Sequence, residues 1–317
     1  MAEEPVVPST DSPSPAKPAR RLSPVARLII LFSSLFILIV AFGAFAIFGG
    51  LPSVQEIKNF QLSSTVKSFD NFDWEKKRDE PIRKVVPLSA IADHLQKAVI
   101  ISEDDTFWYH DGVNFQMMKE AWKVNWERGG YARGASTITM QLARNAFLSK
   151  EKTLVRKIRE IIVARRIEKV LTKKQILELY MNIIEWGQNV YGAEAAAQYH
   201  FNKSARNLSL SEASMLAGIL PNPKRFSPFR RVETARRFQK RVLELMMFSK
   251  LIDPQTSDAA FAAPLHLRGQ VITTPPVVFD SLTTQPAEVE EDSLFATSVP
   301  GSSSSDSVEP AQSDSLK

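Results

Sequence analysis

Residues 28–48, LIILFSSLFILIVAFGAFAIF, hold no charged side chain in 21 positions. A helix rises about 1.5 Å per residue, so this stretch reaches about 30 Å, the hydrocarbon thickness of a bilayer. It is longer and richer in phenylalanine than the apolar segment of a cleaved signal peptide. An uncleaved membrane-spanning helix is the expectation. Lys17, Arg20, Arg21 and Arg27 precede it, and the first base after it is Lys58. The positive-inside rule then puts the N-terminus in the cytoplasm and everything beyond about residue 49 across the membrane.

That placement narrows the partners. Residues 81–250 carry 29 basic and 16 acidic side chains, net +13, whereas residues 251–317 carry 2 and 10, net −8. A basic domain attracts anions. Across a membrane nucleic acid drops out, and an anionic lipid substrate becomes the expected partner. The chain has no cysteine, which excludes disulfides, thiolate metal sites and a cysteine nucleophile.

Composition divides the chain. Residues 1–27 are rich in Pro, Ser and Ala and read as a disordered cytoplasmic tail. Residues 28–48 are the transmembrane helix, 49–80 a stalk and 81–250 the main domain. Residues 251–317 read as a mostly disordered acidic tail. The main domain reads as mainly α. Ser89 is the expected N-cap of a helix with Ile91, Leu95 and Val99 on its apolar face. Thr172 with Gln175, and Ser209 with Glu212, have capping-box spacing. Val232, Ala235, Phe238, Val242, Leu245 and Met246 share one face of a further helix. The best strand signal, residues 270–279, is weak.

Three stretches could carry chemistry. In EDDTFWYHDG (103–112), Glu103 follows an apolar helix face, so its carboxyl could be desolvated and its pKa raised. Phe107, Trp108 and Tyr109 could wall a sugar site; the alternative is a solvated helix end. In ERGGYARGASTITMQLARN, Gly129, Gly130 and Gly134 precede Ser136 and Thr137, where a helix begins. A glycine loop feeding a helix N-terminus suits an anion, and a capped mobile loop is the alternative. In KEKTLVRKIREIIVARRIEK, Leu154, Ile158, Ile161 and Ile162 make an expected buried stripe. Lys152, Arg156 and Glu160 recur every four residues on another face. That row is either cationic machinery or a solvated i,i+4 pairing.

Taken together and in order, these motifs resemble a family. EDDTFWYHDG, GASTITMQ (134–141), RKIRE (156–160), KKQILELYMN (173–182), YGAEAAAQYHF (191–201) and SLSEASMLAGILPNP (209–223) are similar to the glycosyltransferase domain that polymerises lipid II into peptidoglycan strands, also the N-terminal half of bifunctional penicillin-binding proteins. The resemblance implies a lysozyme-like, two-lobed, mainly α domain on a single N-terminal transmembrane helix. It implies glycosyl transfer with inversion, with Glu103 as the base and undecaprenyl pyrophosphate as the leaving group.

Carried over, Ser136, Gln141, Arg144, Lys152, Arg156 and Lys157 surround the donor pyrophosphate and sugar. Glu160 is the second carboxylate, holding a divalent cation (Mg2+ or Mn2+) or orienting the bases. Asp104, Phe107, His110 and Gly112 shape the surroundings of Glu103, and Glu178 and Asn182 are architectural. The implied partners are lipid II, the lipid-linked glycan strand, the membrane, and cell-division or cell-wall synthases. The implied location is the bacterial cytoplasmic (inner) membrane, with the domain outside the cytoplasm. The chain departs from the family pattern at Asn114 (usually Asp), Met140 (often Gln) and Arg144 (often Lys). Only 96 residues follow Pro221, so no transpeptidase domain is expected. A lysozyme-like lytic transglycosylase and a non-catalytic membrane-anchored scaffold are the alternatives.

Overall fold

The computed structural model describes residues 23–77, 79–127, 134–149 and 153–272. The expected N-terminal tail through residue 22, Gly129, Gly130, Lys152, the 273–279 part of the strand signal and the acidic tail from 273 onward lie outside them.

Helix α1 spans Pro24–Phe48, capped by the Ser23 hydroxyl and started by Pro24 at its first turn. It buries none of its residues, and its most apolar window has a mean hydropathy of 2.8. It is long and apolar enough to cross a membrane. The chain then turns through a short α2 (Val54–Lys58), held by a capping box of Ser53 and Glu56. The expected stalk is no free tether. Ile57 is fully buried, and Leu51, Phe60, Leu62, Val66, Phe69, Phe72 and Trp74 pack on the core. Its apolar residues are too many to leave in water.

The domain continues through β1 (Ile82–Arg83), α3 (Asp93–Glu103), α4 (Phe115–Glu127), α5 (Ile138–Phe147), α6 (Leu154–Val170) and α7 (Lys173–Ile183). Then come β2 (Glu185–Gly187), β3 (Val190–Tyr191), α8 (Ala193–Phe201), α9 (Leu210–Ile219) and α10 (Val232–Phe248). Helix α11 (Pro254–Ala262) and the hairpin β4 (Leu265–Leu267) and β5 (Gln270–Ile272) extend the fold past residue 250. Leu265 and Leu267 enter the core, so the folded part outruns the expected boundary. The architecture is mainly α, as expected. The small sheet has the order β1-β3-β2, with β1 parallel and β2 antiparallel to β3. Two- and three-residue strands leave no period-2 pattern to read.

Helix α9 buries every residue from Ser211 to Ile219, its Glu212 paired with Lys203 and its Ser211 with Gln239, so it serves as the central rod against α3 and α10. A Cβ on Gly218 would lie 2.8 Å from the Phe238 carbonyl carbon, which is how α10 crosses so close. The capping boxes at Thr172 and Ser209 form as expected. Ser89 does not cap a helix. It sits inside a 3-10 turn, Leu88–Ala90, and α3 starts four residues later at Asp93. The stripe expected on α6 is also displaced. Leu154 and Ile158 are exposed (84% and 43%), while Glu160, Val163, Ala164 and Ile167 are buried. The helix turns its carboxylate inward because two cations accompany it there.

His200 of α8 is fully buried, stacked on Phe229, and its Nε2–H donates to the Trp186 carbonyl at 3.0 Å. Burial pushes its pKa down to about 4, with the Trp186 bond opposing the shift. The folded state therefore holds it neutral while the unfolded chain protonates near 6.5. Stability rises with pH across that window and is complete above it. Urea unfolding should show about 2 kcal/mol less stability at pH 5 than at pH 7 from this group. His200→Gln should lose that part of the pH dependence; an unchanged slope would count against the assignment.

Candidate active site

Helix α3 ends at Glu103, and Asp104 leaves it with φ −163° and ψ 75°. That break sends adjacent carboxylates to different tasks. Asp104 is buried; its Oδ2 accepts from the Ile138 N–H at 2.9 Å, at the start of α5. His110 Nδ1 accepts from the Gly112 N–H, so its Nε2 carries the proton and donates to Asp104 at 2.9 and 3.0 Å. Thr137, the N-cap of α5, donates its hydroxyl proton to the Gly112 carbonyl at 2.6 Å. The loop after α3 is thereby stitched to the first turn of α5.

Lys173 holds the far side of that loop. Its ammonium donates to the His110 carbonyl and to Glu168, and lies 4.6 Å from the centre of the Phe107 ring. Thr139 donates to the same Glu168 oxygen. Gly112 sits at φ +84°, and a Cβ there would lie 2.9 Å from Glu168 Cγ and 3.0 Å from the Ala164 carbonyl oxygen. Gly112→Ala combines left-handed strain with overpacking, and should cost about 2–4 kcal/mol in thermal unfolding. A loss under 0.5 kcal/mol would mean that the loop is not held this tightly.

Glu103 instead faces a cavity of about 540 Å³ lined by Ser102, Asp104, Asn114, Ser136, Gln141, Arg144 and, from the opposite side, Gly218, Pro221 and Arg241. Its Oε2 accepts from Gln141 Nε2 at 2.7 Å. The pKa of Glu103 is raised, chiefly by desolvation, with Gln141 and Arg144 opposing and Asp104 adding to the rise. It retains some surface through the cavity, but protein crowds the carboxylate itself. The negative end of the α3 dipole lies beneath it as well.

The cation row stands beside this cavity. Arg156 Nη1 lies 3.0 Å from Glu160 Oε1, and Lys157 Nζ lies 3.1 Å from Oε2. The Arg156 contact is an ion pair without hydrogen-bond alignment, since Glu160 Oε1 has no hydrogen-bonding partner. Lys157 also donates to Ser136 Oγ at 2.6 Å. Ser136 lines the cavity, so it joins the row to the chamber that holds Glu103. Lys152 lies outside the described residues. A resident divalent cation does not fit at Glu160, where each carboxylate oxygen already faces a cation. Among the described residues no group of three or more His, Asp or Glu could hold one.

Of the expected site residues, Glu103, Asp104, Ser136, Gln141 and Arg144 meet around one cavity. Arg156, Lys157 and Glu160 adjoin it through Ser136. His110 supports it from behind. Phe107 is no sugar wall, because it is fully buried under Lys173; Trp108 and Tyr109 are its exposed neighbours. Asn114 caps α4, its Oδ1 accepting from the Met117 N–H at 2.9 Å, a role Asn and Asp share. Met140 is fully buried in the core. Asn114 therefore keeps the cap but lines the cavity with a neutral amide in place of the family's carboxylate, whereas Met140 touches no cavity charge. Glu178 and Asn182 bind backbone of residues 86–88, the architectural role expected. Two site residues went unforeseen. Arg241 comes from α10, outside every chemical motif, and Tyr180 stands inside KKQILELYMN with no role assigned to it.

A desolvated carboxylate aimed into a chamber flanked by arginines, with a cation row one serine away, has the make-up of an acid–base enzyme for a polyanionic substrate. The family comparison agrees. The Transglycosylase family model matches residues 70–247, more than half of the chain, and the chain belongs to that family. "Biosynthetic peptidoglycan transglycosylase" of Rhodospirillum centenum is 48% identical over 148 residues, covering 47% of this chain and 64% of that protein. The protein of the same description from Paraburkholderia xenovorans is 43% identical over 161 residues, 50% of this chain and 67% of its own. "Penicillin-binding protein 1A" of Neisseria gonorrhoeae is 38% identical over 230 residues, 72% of this chain. The chain spans 29% of the length of that last relative.

Proposed function

We propose that this chain is a peptidoglycan glycosyltransferase that extends lipid-linked glycan strands with lipid II. The observation that carries the reading is Glu103, a carboxyl with a raised pKa at the cavity wall, one serine removed from Lys157, which shares Glu160 with Arg156. Glu103 takes the proton from the 4-hydroxyl of the acceptor GlcNAc. That oxygen attacks C1 of the donor MurNAc from the face opposite the leaving group, so the configuration inverts. The C1–O bond to pyrophosphate breaks, and undecaprenyl pyrophosphate departs with the electron pair. Arg144, Arg156 and Lys157 neutralise the charge that develops on it.

Residues 28–48 anchor the chain in the cytoplasmic membrane, with the N-terminus in the cytoplasm and the catalytic domain outside. Cell-wall or cell-division synthases are partners in this reading. A Mg2+ or Mn2+ ion would come with the substrate phosphates, which would hold it in place of Glu160. If so, chelation by EDTA raises KM for lipid II and leaves thermal stability unchanged.

The test of the function is detergent-solubilised full-length chain given labelled lipid II. Undecaprenyl pyrophosphate should appear in step with glycan polymer. Lipid II bound but left intact would remove the catalytic reading and favour a scaffold.

A further inference from the structure

Tyr180 takes no part in the proposed steps, yet its hydroxyl reaches the centre of the site. It lies on α7, only 1% exposed, and its O–H donates to Gln141 Oε1 at 3.1 Å. The other end of that amide, Nε2, is the donor 2.7 Å from Glu103 Oε2. A primary amide has a donor end and an acceptor end, and half a turn about its last bond exchanges them. An ionised carboxylate only accepts, so one of the two orientations serves it and the other repels it.

We propose that Tyr180 is a positioning residue that locks the Gln141 amide with its N–H toward Glu103, and so keeps Glu103 in its proton-accepting form. The phenol itself stays a donor, because burial, and after it the Glu103 charge, push its pKa well above 10. Without that hydroxyl, Gln141 Oε1 has no donor and the amide is free to turn. The other groups facing Glu103 do not select the amide's orientation. Asp104 at the same helix end opposes its ionisation, Arg144 of α5 favours it, and Arg241 of α10 lines the shared cavity. Helix α9 contributes only Ala217 and Gly218 there, followed by Leu220 and Pro221.

The meaning of Glu103 as a base rests on the proposed function, but the test reads the carboxyl directly. Full-length chain labelled with [13Cδ]glutamate is titrated by NMR in detergent micelles. The Glu103 resonance is identified by its loss in Glu103→Gln. In Tyr180→Phe its midpoint should rise by about one pH unit, a tenfold gain in proton affinity. The acid limb of lipid II turnover should move by the same amount, with KM unchanged and the rate regained at higher pH. In a Gln141→Met background the Tyr180→Phe change should add no shift. An unmoved midpoint in Tyr180→Phe, or a shift that persists without Gln141, overturns the proposal. A moved midpoint in an enzyme that turns over no lipid II would uphold it while removing the glycosyltransferase reading.

Discussion

Glu103→Gln is expected to lower lipid II turnover about a thousandfold while leaving the fold and substrate binding in place. General-base catalysis contributes about 10²–10⁴-fold, and no second carboxylate can replace this one. Asp104 is adjacent in sequence, but both its oxygens are committed to His110, and one of them also to Ile138. The amide that replaces Glu103 still fills its place beside Gln141, so melting temperature should hold within a degree or two. A variant with more than a tenth of wild-type turnover would mean that another group takes the proton. The raised pKa of Glu103 sets the wild-type profile as well. The base is active when ionised, so activity should fall as pH drops, at a pH above the ordinary carboxylate value.

Glu160→Gln should damage both stability and rate. Glu160 is 1% exposed, and both its oxygens balance charge, with Arg156 (16% exposed) on one and Lys157 (37%) on the other. Breaking a buried pair by removing one partner costs about 3–5 kcal/mol. Water reaches Lys157, so about 2–3 kcal/mol is the expected loss in chemical denaturation. The two cations would then lack their counter-ion, and inorganic pyrophosphate should restore part of the lost stability by binding between them. Turnover should fall more than a hundredfold, since the cations no longer hold the positions that meet the leaving group. Full stability without added pyrophosphate would show that Glu160 is not what sets the row.

The parts legible beforehand share one property: their signals are local in sequence. A charge-free run of membrane length, the Thr172 and Ser209 caps and the glycine-to-helix turn before Ile138 each report themselves within a few residues. Glu103 was recognisable for the same reason, because the apolar face before it and the acids after it are neighbours. What stayed hidden depends on distant partners. The inward turn of Glu160 on α6 comes from two cations and a serine twenty residues upstream of them, which outweigh the apolar side chains that helical periodicity would have buried. Ser89 lost its capping role because residues 88–90 are fixed as a 3-10 turn while Glu178, far along the chain, takes the Leu88 N–H. Tyr180 is apolar in every pattern, and only the Gln141 amide 39 residues away gives its hydroxyl a purpose. The stalk residues looked like a linker, since isolated aromatics between polar residues carry no period; packed together, Phe69, Phe72 and Trp74 form a ring cluster on Tyr199.

Synthesis of glycan, rather than its cleavage, is the central claim. The most direct measurement gives the full-length chain a labelled glycan strand still carrying its lipid pyrophosphate, together with unlabelled lipid II, and follows strand length. The arrangement of Glu103 and the Arg156–Lys157 row predicts strands that lengthen only when lipid II is present, with β-linkages that lysozyme digests. Strands that shorten, with lipid II untouched, would contradict it and assign the carboxylate to lytic chemistry.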